Sequence, residues 1–435
     1  MSLYAQAAPG ELFRLLQRNM GLCKRTGIYT PRVVIWMMML QRLDPRGTLA
    51  SAVEELSMGR LDVLLSQCKR VQEDRIGLST GGYCQARQHL PKILVERGVQ
   101  EIIQRLRNRL MEAVESYAVP VYVVDGSSLQ LEQSAELKKA YPPAPTQHGE
   151  SHWPILRMVV VHDVETGMAE RPQWGAMFGP KAVSEQALAQ QAMDALPPGA
   201  VIIGDRNFGI FAIAYLGHLR GHQVIVRLTR DRAQRLLGGP IAQEGDYEVE
   251  WQASRWDKCP HGAWLPGAAV KGRLLACRIG RGKSKEWIYL FTTLAVASTN
   301  VVALYGKRWN VETDLRSLKQ TMRLQRISVQ SVDMMEKELL AAVLAYNLVR
   351  AVMTMAARAR GLHTRQLSFT YAYTIVEKGI ADVLAASTEV EQIQGMERLI
   401  DLVGRCKLPQ RKKYRTFPRA VWGCGATYPR HEKTK

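Results

Sequence analysis

The period at which apolar residues recur changes along the chain, and each change marks a predicted element. Up to about residue 118 the spacing is helical: one segment follows Pro31, a second runs through LASAVEELSMGRLDVLLSQCKR, and a long one leads from Pro91 towards Tyr117. Short apolar, largely β-branched runs then take over, at residues 119–124, 155–163, 168–177, 200–204 and 223–228. Val164-Glu165-Thr166-Gly167, between the second and third of these runs, reads as a hairpin turn. Residues 184–196 predict a helix that Ser184 caps and Pro197-Pro198 stops, and a further helix passes through residues 212–219. The polar, Pro-rich residues 129–149 read as a loop. Residues 247–251, 273–279 and 286–293 alternate like strands within a stretch punctuated by Gly, Pro and Lys. Helical spacing returns in residues 304–323, and again, Met-rich and so core-like, from Lys337 to about Gly361. An α/β chain is expected, helical at both ends.

Composition narrows the class. With 435 residues, 46% of them hydrophobic, and no low-complexity tract, the chain can bury a sizeable core in about two to four domains. Lys plus Arg number 59 against 40 Asp plus Glu, a net charge of +19. A surplus of that size, spread along the chain, points to a polyanion as partner. No basic amphipathic anchor is found, residues 33–40 fall short of the roughly 20 that a membrane span needs, and MSLYAQAAPGELFR lacks the order of a secretory leader. The seven cysteines form no CxxC pair, and Cys259 and His261 have no second ligand pair nearby, so a reducing compartment without a structural zinc is expected. Gly282-Lys283-Ser284 is not a phosphate loop, because Cys277 stands where the first glycine is required.

The residues of greatest chemical interest share one stripe of the segment 304–323. At about 100° per residue, with Arg308 set to zero, Lys319 falls at about 20°, Glu312 at about 40°, Tyr305 and Arg323 at about 60° and Arg316 at about 80°. Leu304, Val311, Leu315, Leu318 and Met322 cluster roughly a quarter turn away and would face a core. A solvated i,i+4 pair of Arg308 and Glu312 accounts for this pattern. A carboxylate among cations equally suits a site where it holds a metal and they hold phosphates. Asp125 and Asp205 each follow a short apolar strand, where an aspartate is either a turn former or a metal ligand at a sheet edge. Asp163, Glu165 and Asp194 lie at turns or on a helix and are read as structural, and Asp314 points away from the stripe.

Tyr305, Arg308, Glu312 and Lys319 stand as Y-x2-R-x3-E-x6-K, which resembles the signature of the insertion-sequence transposases of the fourth family (IS-four type), a branch of the DDE superfamily with an RNase H-like catalytic core. KELLAAVLAYNLVRAVM resembles the helix that follows the signature there. GDRNF around Asp205 resembles the motif of the second aspartate, and STGGYCQARQHL, with Gln85 and Arg87, the S-x5-Q-x-R stretch. The likeness runs from about Thr48 to Tyr428 and is weak before Leu78. It implies an RNase H-like mixed sheet with flanking helices, in which Asp125 and Asp205 from neighbouring strands and Glu312 from a later helix form the catalytic, metal-binding triad. A pair of Mg²⁺ ions, with Mn²⁺ as substitute, is the implied cofactor. Tyr305, Arg308, Lys319, Arg316 and Arg323 are the implied DNA contacts. Trp287 would stack on a flipped base, worth about 1–3 kcal/mol, although a strand-core tryptophan fits the same position. Gln85 and Arg87 fit both a DNA-reading helix and an ordinary bundle.

The activity implied is transposition in the bacterial cytoplasm, at the nucleoid. A homodimer on paired ends would bind the terminal inverted repeats, nick to free 3′-hydroxyls, release the element, often through a hairpin, and join it to target DNA. The alternatives are an RNase H-like nuclease without strand transfer, which the β-rich insertion disfavours, and a silent transposase-derived DNA-binding protein, which the triad disfavours. Residues 1–118 are then a helical DNA-binding region, 119–228 the first part of the core, 229–300 the insertion, 301–360 the core helix with Glu312 and the helix after it, and 361–435 a helical region. That last region holds a basic run, seven Lys or Arg between Arg405 and Arg419, suited to a DNA backbone or a dimer contact.

Overall fold

Strand β1 (Val121–Gln130) shows why the early part of this sheet reads as unbroken apolar sequence. Val121 and Val123 enter one hydrophobic core while Tyr122 and Val124 enter another on the opposite face, so consecutive positions are buried. A computed structural model of the chain describes residues 3–22, 27–65, 68–73, 76–111, 119–147, 149–255, 257, 259, 263–279, 286–386, 388–409, 420–421 and 430–431. In it β2 (Pro143–Thr146) pairs with β3 (Gly149–Asp163), β3 with β1, and β4 (Gln173–Ala176) with the other part of β3, all antiparallel. On its other side β1 runs parallel to β5 (Val201–Gly204), and β5 runs parallel to β6 (Gln223–Leu228). The order β4-β3-β1-β5-β6, three antiparallel strands continued by parallel ones, is that of an RNase H-like core with helices on its faces.

The β-rich stretch joins this sheet. Strands β7 (Gly245–Gln252), β8 (Ala269–Ile279) and β9 (Glu286–Thr292) form antiparallel pairs, and β9 pairs antiparallel with β6, Val226 opposite Phe291. A nine-stranded sheet results, and the edge that β6 would otherwise expose is covered. Two expectations change. The predicted loop at 129–149 contains the end of β1, the helix Ala135–Ala140 capped by Ser134, and β2, elements too short to leave a readable period. The predicted strand at 168–177 is reduced to Gln173–Ala176 after a single bridge from His162 to Ala169, because Pro172 has no N–H to give a ladder. The turn between them forms as read: Asp163 Oδ1 accepts from the Thr166 N–H at 2.6 Å, and Gly167 adopts φ 75°.

The Val332–Ala359 helix, capped by Ser331, is the axis of the larger core and packs against the helices Pro31–Leu43, Lys92–Met111 and Glu389–Gly404. It is long and apolar enough to cross a membrane, yet 94% of its most apolar window is buried inside the protein. Its buried charges are paired, as burial requires. Glu338 takes Arg42 and Arg87, and Lys337 reaches Asp333 and the carbonyl of Arg87 at 3.1 Å. Arg87 is therefore spent inside the bundle, while Gln85 is exposed. His261, Gly282-Lys283-Ser284 and the basic run from residue 410 to Arg419 lie outside the described residues.

Candidate active site

Alternation along the strands decides which polar side chains can meet. Val123 of β1, Ile203 of β5 and Ile225 of β6 face the core that also takes Val311, Leu315 and Leu318 from the segment carrying Glu312. Two positions on, and so on that same face, stand Asp125 and Arg227, and Asp205 directly follows the last residue of β5. Val124 pairs with Gly204 in parallel register, so Asp125 and Asp205 each follow a paired residue at the point where the strands part. β1 continues to Gln130 against β3 alone, so Asp125 lies within a strand rather than at its end. After Gly204 the chain turns away, and Asp205 Oδ1 accepts the N–H of Asn207 at 2.8 Å.

The segment 304–323 is helical but broken. One helix ends at Gly306, a second spans Trp309–Arg316, a π-helical turn follows at Ser317–Thr321, and Arg323 takes the left-handed conformation at φ 54°. Across the break Arg308 still bonds Glu312 and lies close to Tyr305, while the wider turn falls between Glu312 and the end of the segment. Tyr305 is buried at the end of the first helix. Arg308 bonds Glu312 at 3.3 Å and lies over the Trp309 ring, 4.7 Å from its centroid; its side chain is 13% exposed and that of Glu312 47%. Arg316 is exposed, and among the described residues no carboxylate pairs with the half-buried Lys319, whose pKa burial lowers. Arg323 is turned to the carbonyls of Asp44, at 3.4 Å, and Pro45, so its guanidinium ties the amino-terminal helices to the end of the segment.

The acids form one electrostatic site. Burial pushes the Asp125 carboxyl up to about 6; Asp205 and Glu312 push the same way, against the Gly126 N–H and Arg308. Burial likewise raises the Tyr305 phenol, opposed by Arg308 and by Arg227, whose guanidinium approaches the hydroxyl. Burial and then both aspartates raise Glu185, a fourth carboxylate. Hard oxygen donors that repel one another suit a divalent cation. Among the described residues no three His, Cys, Asp or Glu side chains stand close enough to hold one as they are, with Glu312 drawn instead to Arg308.

Between the ordinary carboxyl value of 3.8 and about 6 the folded state binds more protons at Asp125 than the unfolded state, so this group makes stability fall as pH rises through that window. In EDTA, Asp125→Asn should therefore melt above wild type at pH 7.5, the difference closing below about pH 4. A melting difference independent of pH would refute the burial of charge at this position.

Trp287 lies half-buried on β9, opposite Arg278, whose guanidinium is 4.6 Å from the ring centroid, and parallel to the Tyr289 ring. Arg227, Glu185 and Asn207 were not singled out from the sequence. The period of β6 could have found Arg227, but Glu185 carried no signal beyond following the cap Ser184.

Residues 119–348 match the family model described as the transposase DDE domain. Over 407 residues the chain is 26% identical to the transposase InsG for insertion sequence element IS4 of Escherichia coli (strain K12), covering 89% of this chain and 84% of that protein. Among solved structures it is similar to the piggyBac transposase in a synaptic complex with hairpin DNA, with TM-score 0.44 and 10% identity over 95% of this chain and 86% of that one.

Proposed function

Because this chain belongs to the transposase DDE-domain family, as an IS4-type DDE transposase, we propose that it binds the terminal inverted repeats of its own insertion sequence, cleaves DNA there and joins the freed 3′ ends to target DNA. Asp125, Asp205 and Glu312 would hold a pair of Mg²⁺ ions, with Mn²⁺ able to substitute. Bound there, such ions supply an activated water or 3′-hydroxyl and stabilise the departing oxygen. The observation that carries this reading is the pairing of Val124 with Gly204, the residues directly before Asp125 and Asp205, on neighbouring strands of the sheet.

The other side chains bind and orient. Arg308, which bonds the Glu312 carboxylate at 3.3 Å, would release it to the ions and present charge to a phosphate beside them. Arg227 and Tyr305 line the same face and offer a guanidinium and a hydroxyl to a backbone phosphate; Lys319 and Arg316 add cations further along. Trp287 would stack on a flipped base. A homodimer on paired ends would bring both cleavage sites to one target. The excess of 19 positive charges supports strong, salt-sensitive binding to DNA.

Incubation of the purified protein with Mg²⁺ and a plasmid carrying the terminal repeats should give 3′-hydroxyl ends at the element borders and joined products, both lost in EDTA. Cleavage without joining would leave an RNase H-like nuclease. Binding with neither would leave a silent DNA-binding protein.

A further inference from the structure

Glu185 opens the helix Glu185–Met193, whose Leu188, Ala189, Ala192 and Met193 are buried in the core opposite the face of Asp125. Ser184 caps that helix, accepting the Ala187 N–H at 3.1 Å, and Arg157 holds the preceding turn through the carbonyl of Val183 at 2.9 Å. The carboxylate is thus delivered by a fixed element. It lies in a gap in β1 beside Gly126, within the electrostatic reach of both aspartates. Position 126 points to the Glu185 side of the sheet and has no side chain, and a Cβ there would overlap Glu185 Oε1. The second oxygen, Oε2, accepts from Asn207 Nδ2 at 2.7 Å, and Asn207 is the residue whose N–H binds Asp205 Oδ1. Gln186 Nε2 holds Asn207 from the side at 2.7 Å.

We infer that Glu185 is a positioning residue that sets Asp125 and Asp205 relative to each other, and that residue 126 is glycine in order to admit it. The inference rests on the metal-dependent cleavage proposed above. One carboxylate touches the residue after the first aspartate and grips the residue that orients the second. Carboxylates that ligate cations are held by such outer partners, and loss of one typically costs about 10–100-fold in metal affinity or activity. Glu185 keeps this position although burial and both aspartates disfavour its charge, with Arg157 and the Asn207 amide opposing them.

The test uses the full chain, Mn²⁺ binding by calorimetry, and the Mg²⁺ dependence of end cleavage. Glu185→Ala should weaken Mn²⁺ binding and raise the half-saturating Mg²⁺ about tenfold or more, with binding to the terminal repeat unchanged. Glu185→Gln, whose amide oxygen can still accept from Asn207, should recover most of the loss. Gly126→Ala should displace the Glu185 side chain and reproduce the defect, and the double variant Gly126→Ala/Glu185→Ala should be no worse than either single change. Wild-type Mn²⁺ affinity in a folded Glu185→Ala, or fully additive defects in the double variant, would overturn the inference. Absence of Mn²⁺ binding and cleavage in the wild type would instead refute the metal-dependent reading on which it rests.

Discussion

Replacing Glu312 by Gln should lower metal-dependent cleavage on the order of 10⁴-fold, the scale of loss when one member of a catalytic set is removed, and leave binding to the terminal repeat within a few-fold of wild type. The two readouts separate because the substitution is isosteric and its site is half exposed, so the fold has little to lose. The amide oxygen of the introduced glutamine can still accept from Arg308, which keeps the helix start and the cation in place. What disappears is the charge. One carboxylate fewer attracts a divalent ion, and Asp125 loses one of the groups that push its pKa up. Single-turnover cleavage at saturating Mg²⁺ and a gel-shift titration would measure both effects. Cleavage within tenfold of wild type would remove Glu312 from the catalytic set.

The largest effect on stability is expected two residues later. Asp314→Ala should cost about 3–5 kcal/mol, the range for breaking a buried ion pair by deleting one partner. Asp314 is fully buried, with Arg350 Nη2 and Arg365 Nη1 each 2.5 Å from its Oδ1. Arg350 also donates to the Tyr346 hydroxyl at 2.9 Å, and Arg365 to the carbonyls of Val164 and Asp163 at 3.2 Å. The carboxylate therefore fastens the Glu312 helix to the long core helix and to the β3 hairpin. Its removal strands two cations in the interior.

Burial alone would raise the Asp314 carboxyl; Arg350 and Arg365 outweigh it and hold the group below its ordinary value of 3.8. Its contribution is thus present above that value and lost as pH falls through the lower folded one. Urea unfolding at pH 7 against pH 3 should show the gap between wild type and Asp314→Ala narrowing in acid. The variant Asp314→Leu/Arg350→Met/Arg365→Met should regain much of the loss, because a fully apolar replacement leaves no buried charge unpaired. A loss below about 1 kcal/mol in Asp314→Ala would mean that this network does not hold the helix.

Much of the candidate site is legible in the sequence. An aspartate after a short apolar run and a glutamate four residues beyond an arginine are patterns within a few residues, and Asp125, Asp205, Arg308 and Glu312 all carry them. Asp314 was legible only as an acid off the stripe. That it faces two arginines from positions 350 and 365 depends on how separate helices pack. The stripe itself was drawn on an ideal helix, and it ends at the left-handed Arg323, which turns away towards the amino-terminal helices. Arg323 finds its partners near position 44, a distance no local period reports.

The amino-acid order alone determined the classes of element, the double burial of the early strands, the excess of positive charge and the acids available for chemistry, since each depends on a residue and its near neighbours. Tertiary structure decided the rest: the Val124–Gly204 register that sets Asp125 beside Asp205, the addition of β9 to β6, the sinking of Arg87, Lys337 and Glu338 into one bundle, and the seat of Glu185 on Gly126. Strand pairing and the compensation of buried charge are choices among distant partners, many of which satisfy the same local pattern, and only the packed chain selects between them.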